Sequence, residues 1–221
     1  MTPDRVLSAA RDLLTVAGQG FKDPFLYEHS LRVMRLAQRL AVLPEYQGRL
    51  GDPAALELAA LFHDAGWALQ FGQGRVDRWQ LLNRPTSDVQ RELGAVVMLE
   101  RVGDLVPSRT ARLAAEAIRQ CNDRGATLAE ARVLADAESL DEIGLMYLLR
   151  QFRFYQADGR SIEQLLTTWQ RQREYRYWDA RLQDGFRSDA AREIARRRVT
   201  EVESFIAALS REHGGEDVVP G

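Results

Sequence analysis

His29, His63, Asp64 and Asp136 are the residues of this chain whose types and settings best support chemistry. His63-Asp64 closes the apolar run Leu56-Glu57-Leu58-Ala59-Ala60-Leu61-Phe62 and is followed by Gly66. That run leaves almost no polar face, so it predicts a buried helix. An imidazole and a carboxylate delivered at the last turn of such a helix cost free energy unless something pairs with them. A divalent cation is an economical partner, and the negative end of the helix dipole would help to hold it. The chain has three histidines. His213 lies in a polar tail, which leaves His29 as the second imidazole for a site. Two imidazoles and two carboxylates form an N2O2 set, hard enough for Mn, Fe(II), Co, Ni or Mg and compatible with open positions for water and substrate. A lone cysteine, Cys121, excludes an all-thiolate zinc site.

Three apolar helices must position these groups. One covers about Leu26 to Leu43 and stops before Pro44. His29 shares its inward stripe with Val33, Leu36, Ala37 and Leu40, and Arg32 neighbours His29 on the surface. The second begins at Asp52-Pro53 and ends in His63-Asp64. The third begins at a Thr127/Glu130 capping box, runs from Leu128 to about Ile143, and carries Asp136, Glu138, Asp141 and Glu142. Helices of this kind pack to bury their faces, and packing can bring the four donors to one point.

Further elements follow in the same way. Thr2-Pro3-Asp4 starts a helix to Ala17 that Gly18 closes. Gly66 to Thr86 is rich in Gly, Trp and Arg and reads as a long loop, a lid or substrate wall. Ser87 caps a helix to about Arg101, and Ser108 caps another to about Asn122. Ser161 with Gln164 opens a helix reaching to about Leu182, and Ser188 opens a last one to about Ser210. Without strand alternation, repeats or an internal linker, the expectation is an all-α bundle of seven or eight helices. It forms a single domain over 1–212, with a disordered tail at 213–221.

Composition narrows the class. At 45% hydrophobic and 28% charged residues the chain reads as an ordinary globular protein. A net charge of −2 gives no general case for a nucleic-acid or membrane partner. No apolar segment approaches the ~20 residues a membrane span needs. One cysteine permits no internal disulfide, so a reducing cytoplasm is the expected location.

The joint pattern Tyr27-Glu28-His29-Ser30-Leu31-Arg32-Val33, Leu61-Phe62-His63-Asp64-Ala65-Gly66 and Val133-Leu134-Ala135-Asp136-Ala137-Glu138 resembles the H…HD…D signature of the HD-domain phosphohydrolases. The resemblance covers roughly 25–150. Arg198 and Glu203-Ser204-Phe205 more loosely resemble the stand-alone members of this size. It implies an all-α fold, one divalent metal held by His29, His63, Asp64 and Asp136, and hydrolysis of a phosphate ester or anhydride, commonly of a nucleotide. Binuclear members place extra histidines where this chain has Gln120 or Cys121, so a mononuclear site is inferred. Members with an acid one turn after the HD pair differ from this chain, which has Trp67 and Ala68, so the general base is unassigned. The family's Asp-Ala-Asp here reads Asp136-Ala137-Glu138.

The expected chemistry is hydrolysis by a metal-activated water. Asp64 shares a proton with that water, and Arg32 neutralises the transferred phosphate. Arg75, Arg78 and Arg84 in the loop are further phosphate candidates. The competing readings are a non-catalytic HD module that binds metal or a phosphorylated ligand, and two-iron oxidation, which the shortage of histidines disfavours. Blander readings stand beside these: a core role for His29, an Asp136–Arg132 salt bridge, and a solvated face for Arg196-Arg197-Arg198. Trp169, Tyr175, Tyr177 and Trp178 read as core or as a homodimer contact.

Overall fold

The computed structural model describes residues 3–218. The chain is all-α: among the described residues eleven α-helices accompany one two-stranded hairpin. It divides into two compact units, Met1–Glu138 and Ser139–Gly221. The division falls inside one helix.

The first unit begins with α1 (Asp4–Leu14). The expected extension to Ala17 is incorrect. Residues Val16–Gly18 (β1) pair antiparallel with Phe21–Asp23 (β2), and Gly20 turns the hairpin at φ +80°. Three residues per strand are too few to show alternation in sequence. Thr2, the expected cap of α1, lies outside the described residues.

Helix α2 (Phe25–Ala41) starts where Asp23 Oδ1 accepts from the Phe25 amide at 3.0 Å. It buries Leu26, His29, Val33, Ala37 and Leu40 along one stripe. Helix α3 (Pro53–Phe62) is capped by Asp52, whose side chain accepts from the Ala54 amide. It packs between α2 and α6 (Ser108–Gln120), and this explains its lack of a polar face. Leu56, Leu58, Leu61 and Phe62 are all within 2% of full burial, each worth about 1.5–3 kcal/mol.

Immediately after His63-Asp64 the chain forms α4 (Ala65–Gly72), not the start of a long loop. Its residues are apolar enough to pack against α5 (Asp88–Val102), so the irregular loop shortens to 73–87. Ser87 and Gln90 close α5 with a reciprocal capping box. A short 3₁₀ turn (Gly103–Leu105) leads to α6, whose N-cap is Pro107 rather than a side-chain cap from Ser108. Helix α7 (Ala129–Asp141) carries Asp136. Glu130, read as half of a capping box, instead accepts from the Gly51 and Asp52 amides at 2.7 and 2.9 Å. It thereby ties the start of α3 to α7.

Gly66 and Gly94 set the approach of α4 and the end of α3 to α5. A Cβ on Gly66 would lie 2.2 Å from the Gln90 carbonyl oxygen, and one on Gly94 would lie 3.1 Å from that of His63. Gly66→Ala is therefore expected to destabilise the protein by about 1–3 kcal/mol through overpacking against backbone. A urea unfolding curve checks this, and an unchanged midpoint would contradict it.

The second unit contains α8 (Leu145–Ala157), α9 (Ile162–Glu174), α10 (Tyr177–Asp184) and α11 (Asp189–Gly214). The Ser161–Gln164 capping box is present. The expected continuous helix to Leu182 breaks at Arg176, which adopts the left-handed conformation at φ +53°. Trp169 and Trp178 are core residues, with Tyr147 and Tyr177 meeting the Trp178 ring edge-on at 4.9 and 5.1 Å. Tyr175 is exposed. Arg196 pairs with Glu193 on the solvated face of α11, whereas Arg198 turns inward to donate to the Leu140 carbonyl. The tail expected to be disordered from 213 contributes His213 and Gly214 to α11; residues 219–221 lie outside the described residues. No helix among the described residues is long and apolar enough to cross a membrane.

Candidate metal centre

Helix α2 delivers His29 from its first two turns, and the end of α3 delivers His63 and Asp64. All three are at most 1% exposed. His29 Nε2 and His63 Nε2 lie 3.2 Å apart, and Asp64 Oδ2 lies 3.1 Å from the first and 3.3 Å from the second. Three donor atoms thus converge on one point.

The protonation pattern makes this convergence a ligand set. His63 Nδ1 lies 2.8 Å from the Ala60 carbonyl, an acceptor, so Nδ1 carries the proton. With Nδ1 so engaged, His63 presents Nε2 to the site. Asp64 Oδ2 is buried with no hydrogen bond of acceptable geometry, despite its closeness to the imidazoles. An orphaned carboxylate oxygen facing imidazole nitrogens is costly in an apolar interior. Ligands bound at about 2.1 Å to a common ion sit about 3.0–3.4 Å from one another, and the observed separations match that spacing. The residues therefore fit a divalent cation.

Asp64 Oδ1 is fully engaged. It accepts from Arg91 Nη1 at 2.8 Å and from Thr86 Oγ1 at 2.7 Å. Burial by itself raises the Asp64 pKa. The adjacent His63 imidazole, the Arg91 guanidinium and the His29 imidazole together outweigh it and hold the carboxyl well below the usual carboxylate range. Arg91, 1% exposed, also donates to the His63 carbonyl at 3.2 Å, to Asn122 Oδ1 at 3.2 Å and to both Glu138 oxygens at 2.5 and 2.6 Å. Burial alone would lower its pKa, but the surrounding acids raise it instead, so the guanidinium stays charged.

Asp136 is fully buried on α7, and its Oδ2 accepts from the Tyr46 hydroxyl at 2.8 Å. Arg132 lies on the exposed face of that helix. Trp67 and Ala68 are buried, and Trp67 Nε1 donates to Thr86 Oγ1 at 2.9 Å. Thr86 thereby relays Trp67 to Asp64. Arg32 is half-buried on α2 and Arg75 is exposed in the 73–87 loop. Arg78 stacks on the rings of Phe21 and Trp79 at 4.6 and 4.4 Å, and Arg84 lies 5.6 Å over the Trp67 ring. Cys121 is buried, and burial pushes its thiol up to about 12, so it stays protonated.

Sequence reasoning missed Arg91 and Thr86. Arg91 did leave a signal: it shares a helical stripe with Gly94, Ala95, Met98 and Val102, where a charge without a buried partner would be out of place. Thr86 left none, being a single hydroxyl in an irregular loop. Thr86→Val keeps the shape but strands the Trp67 donor and removes one of the two hydrogen bonds to Asp64 Oδ1. The expected results are a loss of about 1–3 kcal/mol in stability and a metal affinity about 10–100-fold weaker. Thermal melts and metal titration measure the two effects, and parental values in both would contradict the relay.

Comparison with known proteins places the fold. The HD domain family matches residues 26–143, and the chain belongs to that family. HD domains bind divalent metals and are generally metal-dependent hydrolases. Among solved structures, Bacillus subtilis YpgQ in complex with ADP is 20% identical, with a TM-score of 0.58 over 99% of this chain and 95% of that one. The Lin1889 protein from Listeria innocua is 22% identical, with a TM-score of 0.55 over 98% of each chain. At these identities the likeness is one of fold. No curated protein matches the chain.

Proposed function

We propose that this protein is a metal-dependent phosphohydrolase acting on a small phosphorylated substrate, a nucleotide in the first instance. The observation that carries the reading is the convergence of His29 Nε2, His63 Nε2 and the orphaned Asp64 Oδ2 within 3.3 Å of one another. Asp136 is assigned as the fourth ligand. When bound, a divalent cation supplies Lewis-acid polarisation of a phosphoryl oxygen and a lowered pKa for an attacking water.

The chain's own residues do the rest. Arg91 and Thr86 hold Asp64 Oδ1, which leaves Oδ2 directed at the imidazoles. Asp64 is assigned the exchange of a proton with the attacking water. Arg32, one turn after His29, is assigned to the transferred phosphate, because a guanidinium meets two phosphate oxygens at once. Arg75, Arg78 and Arg84 are assigned to more distant phosphates; Arg78 and Arg84 are already oriented by aromatic rings. The ADP complex of the structurally similar YpgQ supports a nucleotide as the first substrate class to try.

A second reading, a non-catalytic module that binds metal and a phosphorylated ligand, draws on the burial of Trp67 and Ala68, which leaves no acid one turn after Asp64. Incubating the Mn-loaded protein with a panel of nucleotides and measuring phosphate and pyrophosphate separates the two. Release that disappears in His63→Ala is the expected result. Inactivity of the parent protein on every substrate with each of Mn, Fe, Co, Ni and Mg would favour the second reading.

A further inference from the structure

A cavity of about 860 Å³ lies against the first unit, lined by Tyr46, Arg49 and Gly51 of the loop before α3, by α6 from Arg109 to Gln120, and by the start of α7. None of His29, His63 and Asp64 lines it. Its volume falls in the range of small-molecule sites. Four arginines line it: Arg49, Arg109, Arg112 and Arg132. Two acids accompany them, and both are occupied. Glu130 accepts from the Gly51 and Asp52 amides, and Glu116 accepts from Gln120 at 2.6 Å. Elsewhere on this chain arginines pair with acids, as in Arg119–Glu92 and Arg176–Asp179. Arg49, Arg109 and Arg112 show no such pair. The four guanidinium groups outnumber the two carboxylates, so the cavity keeps a net positive charge that favours a further anion.

We propose that this groove binds the phosphate groups of a small organic oligophosphate, at a place separate from the metal centre. Guanidinium groups from the loop before α3, from α6 and from α7 can meet several phosphates, each binding oxygens in pairs. The amino end of α7, at Leu128 and Ala129, adds the positive end of a helix dipole. Tyr46, Leu113 and Leu128 supply apolar surface for the organic part. The limited volume and the net charge of −2 favour a small ligand over a nucleic-acid backbone, which calls for an extended basic track. The assignment does not depend on hydrolysis at the metal centre. Tyr46 joins the two places, because it lines the groove while its hydroxyl bonds Asp136.

Calorimetric titration of the metal-loaded full chain with inorganic tripolyphosphate tests the proposal. The expected result is binding that weakens at least tenfold in Arg109→Ala/Arg112→Ala, with bound metal unchanged. Arg49→Ala, a single exposed change in the loop before α3, is expected to weaken it several-fold and guards against a folding artefact in the double variant. Binding that survives these changes but vanishes in His63→Ala would put the ligand at the metal centre and overturn the proposal. So would the absence of binding, or a preference for a twenty-nucleotide RNA over tripolyphosphate.

Discussion

Arg91→Met is expected to lower the free energy of unfolding by about 3–5 kcal/mol, the scale seen when one member of a buried ion pair is removed. The size follows from what Arg91 does. Its guanidinium bridges Asp64 and Glu138 while donating to the His63 carbonyl and to Asn122, all with 1% of its own surface exposed. Methionine fills much of the volume but leaves Asp64, fully buried, without its compensating charge. Arg91→Lys is expected to recover only part of the loss, because one ammonium cannot meet acceptors spread around a planar fork. Urea unfolding followed by circular dichroism measures both variants. A loss under 1 kcal/mol for Arg91→Met would show that Arg91 is not what holds Asp64.

The same arrangement fixes a pH dependence. An Asp carboxyl in an unfolded chain titrates near ~4, and in the folded protein Asp64 is held well below that. A folded-state pKa that is depressed stabilises the fold above the unfolded value and loses that contribution as pH falls through the folded one. Asp64 is therefore expected to contribute fully above about pH 4, and that contribution should fade at lower pH. Asp64→Asn should flatten this part of the acid-unfolding curve, and an unaltered curve would contradict the assignment.

The second large effect concerns function. His63→Ala is expected to reduce bound divalent metal from one per chain to near zero and to remove phosphate release by at least 100-fold, because it deletes the Nε2 that the Ala60 carbonyl directs inward. Elemental analysis and the nucleotide assay read the two quantities on one preparation. Metal retained at one per chain in His63→Ala would place the ion elsewhere.

Much of this centre was legible in the residues. An imidazole and a carboxylate closing a largely apolar helix are conspicuous, and of the three histidines only His29 lies on another apolar helix. The helix carrying His29 was readable because its stripe repeats at three and four residues. The parts that stayed hidden share a physical cause. Arg91, Thr86 and Tyr46 act through contacts 22 to 90 residues away in sequence, and no local pattern records such pairings. Helix α4 was lost because Gly66 and Gly72 depress helix propensity, whereas the close packing that Gly66 permits against Gln90 decides the matter. The break at Arg176 carries no glycine to announce its positive φ. Glu130 looked like a local cap, yet its carboxylate serves the amides of another helix's entrance.

Anomalous diffraction from a crystal of the protein grown with Mn(II) tests the metal centre most directly. The expected map has a peak within about 2.0–2.4 Å of His29 Nε2, His63 Nε2 and Asp64 Oδ2. A map with no peak there, at full manganese occupancy in solution, would contradict the assignment of these residues as ligands.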